Sequence, residues 1–232
     1  MILHVTDLHC DERWLEWLVG ASSRYSLVCM TGDLLNLNPY LAHHGQPDTV
    51  LSFLRRLRAP LALVSGNHDG VRGSGSRLEN AQWMREACLG SAYVDGDSFM
   101  HSGFLFRCLE WQGRLPIAGH DEVWLHHSPP SLAGTAISRG GCDFGDFELG
   151  EHLRAGLGPR LVLGGHVHDP VRKADRVGGS WSLNPGFAEN SPVPNYFEID
   201  LGNGIAAHHR ASGGGATVRL WQPLKTIENR CQ

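Results

Sequence analysis

The sequence predicts a mixed α/β layered fold, and two patterns carry that prediction. Through the first 70 residues, short runs rich in Val, Ile and Leu alternate with amphipathic stretches, which argues for parallel strands joined by crossover helices. From residue 92 onward the apolar runs are shorter and separated by turn signals, which argues for antiparallel meanders. A third observation concerns use of the fold: polar residues stand directly after the apolar runs.

Residues 2–6 read as a strand, and DERWLEWLVGASS (11–23) as a helix with Trp14, Leu15, Trp17 and Leu18 on one face. SLVCM (26–30) reads as a buried strand ending at Thr31, Gly32 and Asp33. TVLSFLRRLR (49–58) is expected as a helix, with Leu51, Leu54 and Leu57 spaced for packing and arginines outside. LALVSGNHD (61–69) is a strand followed by a loop. After a Gly/Ser-rich link (70–76), ENAQWMREACLG (79–90) reads as a helix stopped by Gly90. Residues 92–118 read as short antiparallel strands, and EVWLHHSPP (122–130) as a strand halted by prolines. FELGEHLRAGL (147–157) is expected as a helix, and RLVLGGHVHD (160–169) as strand and loop. WSLNPG, NYFEIDLGNG and TVRLWQP close the chain as strands and turns. With no internal repeat and no convincing linker, residues 1–232 are read as a single domain.

A hydrophobic share of 41% and a charged share of 19% fit a soluble globular protein, and no apolar run is long enough to span a bilayer. The net charge of −4 gives no electrostatic reason to expect nucleic acid or an anionic membrane as the main partner. A local metal charge would still draw an anionic substrate. The six cysteines, Cys10, Cys29, Cys88, Cys108, Cys142 and Cys231, form no C-x-x-C pair, which speaks against thiolate zinc sites and for reduced thiols in a cytoplasmic protein. The chain starts directly on a strand, so no secretory leader is expected.

Asp7 and His9, Asp33, Asn67 and His68, His126 and His127, and His166 and His168 all follow apolar runs. In open α/β sheets ligands bind beyond the carboxyl ends of the strands, so five strand ends would feed one crevice. Asp, Asn and His without Cys suit Mn²⁺, Fe²⁺, Zn²⁺ or Co²⁺. One ion takes about four to six donors; seven suit two ions that share a carboxylate, the arrangement that clamps both oxygens of a phosphoryl displacement. Gly32, Gly66, Gly164 and Gly165 stand where the backbone must turn or a ligand approach. Taken singly, Asp7, Asp33 and Asp69 also read as helix or turn caps. His127 is expected to point away from the centre, with replacement of its neighbour as the alternative. His43, His44, His208 and His209 read as solvent-facing, with His43 or His44 within reach of the cleft, and the tryptophans read as core anchors. Arg139 and RGGCDFGD (139–146) read first as an ordinary exposed loop, and alternatively as a lining of the substrate side.

In order along the chain stand D-x-H (Asp7, His9), G-D (Gly32, Asp33), G-N-H-D (Gly66 to Asp69), H-H-x-P-P (His126 to Pro130) and G-H-x-H (Gly165 to His168), followed by SLNPG (182–186). In these motifs the chain resembles the calcineurin-like metallophosphoesterases over nearly its full length. The resemblance implies a four-layer α-β-β-α sandwich of two mixed β-sheets with a binuclear centre at its edge. It implies that Asp7, His9 and His168 hold a first ion, that Asp33 bridges, and that Asn67, His126 and His166 hold the second. His68 would face the substrate as a catalytic residue, oriented by Asp69. The two divalent ions (Mn²⁺, Fe²⁺/Fe³⁺, Zn²⁺ or Co²⁺) would turn a bridging water into the hydroxide that attacks a phosphomonoester or phosphodiester. Asp69 departs from the Glu usual in the protein serine/threonine phosphatase branch, so a small phosphorylated substrate is expected over a phosphoprotein. A nuclease acting on DNA or RNA is the second hypothesis, disfavoured by the acidic balance. A noncatalytic scaffold is the third, disfavoured because every ligand position is filled. Specificity is expected in the loops 36–48, 70–78 and 131–146.

Overall fold

The computed structural model describes residues 1–36, 45–70, 81, 83–85 and 92–223. Its strands are β1 (Ile2–Val5), β2 (Leu27–Thr31), β3 (Leu61–Val64), β4 (Ala92–Tyr93), β5 (Ser98–His101), β6 (Phe104–Cys108), β7 (Glu122–Leu125), β8 (Leu161–Leu163), β9 (Ala174–Val177), β10 (Ser180–Leu183), β11 (Tyr196–Asp200), β12 (Ile205–His209) and β13 (Gly215–Arg219). Its helices are α1 (Glu12–Ser22), α2 (Gln46–Leu54) and α3 (Phe147–Arg154).

Local chemistry sets the helix ends. Asp11 caps α1 by accepting from the amides of Arg13 and Trp14, donors that have no partner inside the helix. Asp146 caps α3 through the Leu149 amide. α2 runs over 46–54, where 49–58 was expected. Gly45, at φ +85°, turns the chain into it and a proline fits the first turn. Its end tightens into three-residue turns, with Arg56 bonding Phe53 and Leu57 bonding Leu54. Most of the helix expected at 79–90 lies outside the described residues, as do His43, His44, Cys88 and Cys231.

Two sheets form. The first runs β13-β12-β11-β1-β2-β3-β4, with β1 to β4 parallel and β11 to β13 antiparallel beside β1, where Ile2 faces Ile199. The second runs β5-β6-β7-β8-β10-β9. Antiparallel pairing past residue 92 holds for β5–β6, β9–β10 and β11–β13, but β6, β7, β8 and β10 are parallel. The connection from β7 to β8 carries α3 back across the sheet, and such a crossover returns a strand in the same direction.

Three apolar clusters separate four layers. Leu3, Val5, Val28, Met30 and Leu63 pack under Trp14, Leu15, Leu18, Val50 and Leu51 of the helices. Ile2, Leu27, Cys29, Ala62 and Val64 of the first sheet meet Phe104, Phe106, Val123, Leu125, Leu161 and Leu163 of the second. Trp124 and Val162 on the far face receive Leu149 and Leu153 of α3. The expected α-β-β-α sandwich is borne out. Among the described residues, no helix is long and apolar enough to cross a membrane.

Candidate metal centre

β1, β2, β3, β7 and β8 direct their carboxyl ends to one edge of the sandwich, and every histidine or acid of interest stands just beyond one of them. The backbone there is bent hard: Asp7, His9, Cys10, Asp33 and His166 all have φ between 46° and 65°. A side chain in this left-handed region costs about 1–2 kcal/mol, and such strain persists where surrounding contacts over-determine it. Here the amides of Asp7, His9 and Cys10 bond the carbonyls of Gly32, Asp33 and Leu34, stitching the first loop to the second. Two glycines permit close approach. A Cβ on Gly66 would overlap the carboxylate of Asp33, and one on Gly165 would overlap the Thr6 hydroxyl and lie 2.6 Å from Asp7 Oδ2.

Among the described residues three groups of donors result, each tight enough to surround an ion: Asp7, His9 and His168; His9, Asp33 and His68; and Asp33, His127 and His166. His9 Nε2 lies 3.2 Å from His168 Nε2, which lies 3.6 Å from Asp7 Oδ1. His127 Nε2 lies 3.3 Å from Asp33 Oδ2 and 3.2 Å from Asn67 Oδ1. Asp33 therefore sits between the two halves of the cluster. Nδ1 of His9 donates to the Leu35 carbonyl and Nδ1 of His127 to the Thr31 carbonyl, which turns each Nε2 toward the centre. Asp7 Oδ2 accepts from the Thr6 hydroxyl and the His166 amide, while Oδ1 is buried with no hydrogen-bond partner among the described residues. A buried carboxylate oxygen left open among imidazoles fits a cation site.

Two expectations need correction. The structure places His127 in the cluster, not His126. In β7, Val123 and Leu125 face the other sheet and Trp124 faces α3; continuing the alternation turns His127 toward the cluster and His126 away. His126 bonds the Ser128 carbonyl, and its Nε2 lies 3.5 Å from Asp146 Oδ2. Nor does Asp69 orient His68, whose Nδ1 has no hydrogen-bond partner among the described residues. The Asp69 carboxylate accepts instead from the amides of Leu34, Leu35 and Gly66. It ties the Asp33 loop to the Asn67 loop from beneath, and the Trp83 indole holds its carbonyl.

Electrostatics follow from this crowding. Burial alone would raise the carboxyls of Asp7 and Asp33, yet the facing imidazoles of His168 and His127 hold both below the usual range. Burial works to lower His127 too, but the Asp33 carboxylate lifts it to about 9. His166 falls to about 4 through burial and the neighbouring His127 charge, and burial also lowers His68. Asp69, buried beside Asp33, rises to about 7.

A cavity of about 370 Å³ opens over the cluster, lined by Asp33, Asn67, His68, His166 and His168 with Ser138, Phe144, Val167 and Asp169. A larger depression of about 560 Å³ among Gly119, Arg160, Trp181 and Trp221 contains none of these residues. It lies at the amino ends of β7 and β8, away from the chemistry. Two aromatic residues wall the centre, one of them Trp111, which the sequence offered only as a core anchor. Phe187 stacks on His168 at 4.6 Å and meets His9 edge-on, and Trp111 leans on His127 and His166. Asn184 of SLNPG places its amide against the carbonyls of Gly165 and Val167, fixing the loop that carries His166 and His168.

A sequence model described as calcineurin-like phosphoesterase matches residues 1–170. Among solved structures, the fold is similar to TT1561 of Thermus thermophilus, with a TM-score of 0.57, 18% identity, and coverage of 95% of this chain and 98% of that one. An archaeal phosphodiesterase superposes with a TM-score of 0.52 at 15% identity, covering 94% and 98%. Purple acid phosphatase PPD1 from yellow lupin (Lupinus luteus) seeds gives 0.59 at 14% identity, covering 97% of this chain and 56% of that one. No curated protein matches by sequence.

Proposed function

Since the chain belongs to the calcineurin-like phosphoesterase family, we propose that it hydrolyses a small phosphomonoester or phosphodiester with two divalent ions bound at the strand-end cluster. The observation that carries this reading is the place of Asp33, whose carboxylate belongs to two of the three donor groups. Asp7, His9 and His168 would hold one ion and Asn67, His127 and His166 the other, with Asp33 shared. When bound, the ions supply charge that polarises the phosphate and acidifies water.

The chain's own residues do the rest. Thr6, Leu35 and Thr31 fix the orientation of Asp7, His9 and His127, so the donor set is organised before substrate arrives. Phe187 and Trp111 limit the rotation of the imidazoles they touch. His68 lines the cavity with its Nε2 3.7 Å from Asp33 Oδ2, placed to hydrogen-bond a phosphate oxygen or the leaving oxygen.

The test combines metal analysis with turnover of p-nitrophenyl phosphate, bis(p-nitrophenyl) phosphate and an oligonucleotide, with and without Mn²⁺. About two ions per chain are expected, with hydrolysis abolished by chelation and restored by Mn²⁺. His68→Ala should keep its metal and lose about 10²–10⁴-fold in turnover, whereas Asp33→Asn should lose metal. An intact protein that takes up no transition ion under any loading condition would overturn the proposal, and hydrolysis confined to the oligonucleotide would replace the small substrate with nucleic acid.

A further inference from the structure

Phe144 is a large apolar side chain that the fold leaves in the open. It is 52% exposed, and it lines the same cavity as Asp33, Asn67, His68, His166 and His168. The ring is not on a loose loop. The Phe144 amide bonds the Ala136 carbonyl, and Ile137 bridges Asp143. The Asp143 carboxylate accepts from the amides of Leu132 and Gly145. Gly145 is pressed so closely on Ser131 that a Cβ would lie 2.5 Å from its Cα. Phe187 and Trp111, the other aromatics of the centre, spend their faces on imidazoles, whereas half of Phe144 faces solvent.

Fixing an exposed aromatic ring at the wall of a polar cavity gains little for the fold, since apolar area left in water contributes no burial energy. It does gain binding: ligand sites combine apolar walls with a few polar groups that set orientation. We propose that Phe144 is the platform on which the organic group of the substrate stacks, so that the preferred ester carries a flat aromatic ring next to its phosphate. This rests on the phosphoester reading above and narrows it to a substrate class. A simple aryl ester and a nucleotide share the chemistry that a stacking face recognises, because every base has a π-face. Ser138 and Asp169, on the same wall, offer polar groups to the edge of such a ring.

Calorimetric titration of the Mn²⁺-loaded protein with methylphosphonate and phenylphosphonate tests this without turnover. Phenylphosphonate is expected to bind at least about fivefold more tightly, the lower end of what stacking on a side chain contributes. Phe144→Ala should erase that ratio and leave methylphosphonate binding unchanged, and Phe144→Trp should preserve it. Titration with thymidine 5′-phosphate against deoxyribose 5-phosphate separates the sources: a larger Phe144-dependent ratio there assigns the platform to a nucleobase, and a smaller one to an aryl group. Equal binding of the two phosphonates, or a ratio that survives Phe144→Ala, overturns the platform alone. Failure of both phosphonates to bind a protein shown to hold its metal overturns the phosphoester reading with it.

Discussion

His126 and His127 make the sharpest contrast at the scale of single residues. Both are buried, but His127 Nε2 faces Asp33 and Asn67 while His126 faces Ser128 and Asp146. His127→Ala should therefore reduce bound metal from about two ions per chain to about one, and His126→Ala should leave the stoichiometry intact while lowering stability. Elemental analysis of the two purified variants decides the matter; equal metal loss would contradict the assignment. The sequence placed both histidines beyond a strand but could not tell them apart, because a one-residue shift in where the pleat begins reverses which one faces inward. The apolar identity of Val123, Trp124 and Leu125 fits either face. Asp69 was hard to read for another reason: its three partners are backbone amides, and an amide has the same chemistry at every position. Phe187 and Trp111 carry no metal-ligating atom, so nothing in their type marked them as walls of the site.

At the scale of elements, β1, β11 and β12 align His4, Phe197 and His208 in one cross-strand row. The rings of His4 and Phe197 are nearly parallel, and His208 packs against Phe197 on the other side. Burial lowers His4 to about 3 and His208 to about 4, so both imidazoles are neutral in the folded protein. Each folded value lies below the unfolded one near 6.5, and the unfolded chain takes up more protons in between. Their contribution is fully present above pH 6.5 and is lost as pH falls toward 4 and 3, at about 1.4 kcal/mol per unit for each group. Melting temperatures between pH 7.5 and 4.5 should fall with acid, and more gently in His4→Gln/His208→Gln; parallel curves would exclude these two histidines. β12 is also where strand reading failed. After Ile205, AAHH has alanines and histidines in place of the branched and aromatic residues that mark a strand, and its pairing comes from the partners on either side. β1, β2 and β3 were legible because each is a fully buried apolar run ending in a polar turn.

For the whole molecule, the cluster joins loops that extend from both sheets. A ligand bound only by the folded state stabilises it by about 2.7 kcal/mol at a hundredfold excess over Kd, which in a chain of this size corresponds to about 5–10 °C. Chelation should lower the melting temperature by that amount and re-addition of Mn²⁺ should restore it; a thermal scan that ignores both would mean that the loops are held together without an ion. β1 has a further consequence. Its loop carries Asp7 and His9, yet one of its edges is covered only by β11, where Ile2 meets Ile199. During synthesis from the amino end, all seven proposed donors precede residue 169, while that edge still waits for a partner about thirty residues downstream. If those residues are the ligands, as proposed, a nascent chain stalled in that interval would carry all of them on an unfinished sheet, and uptake of metal would report that the last strands had closed it.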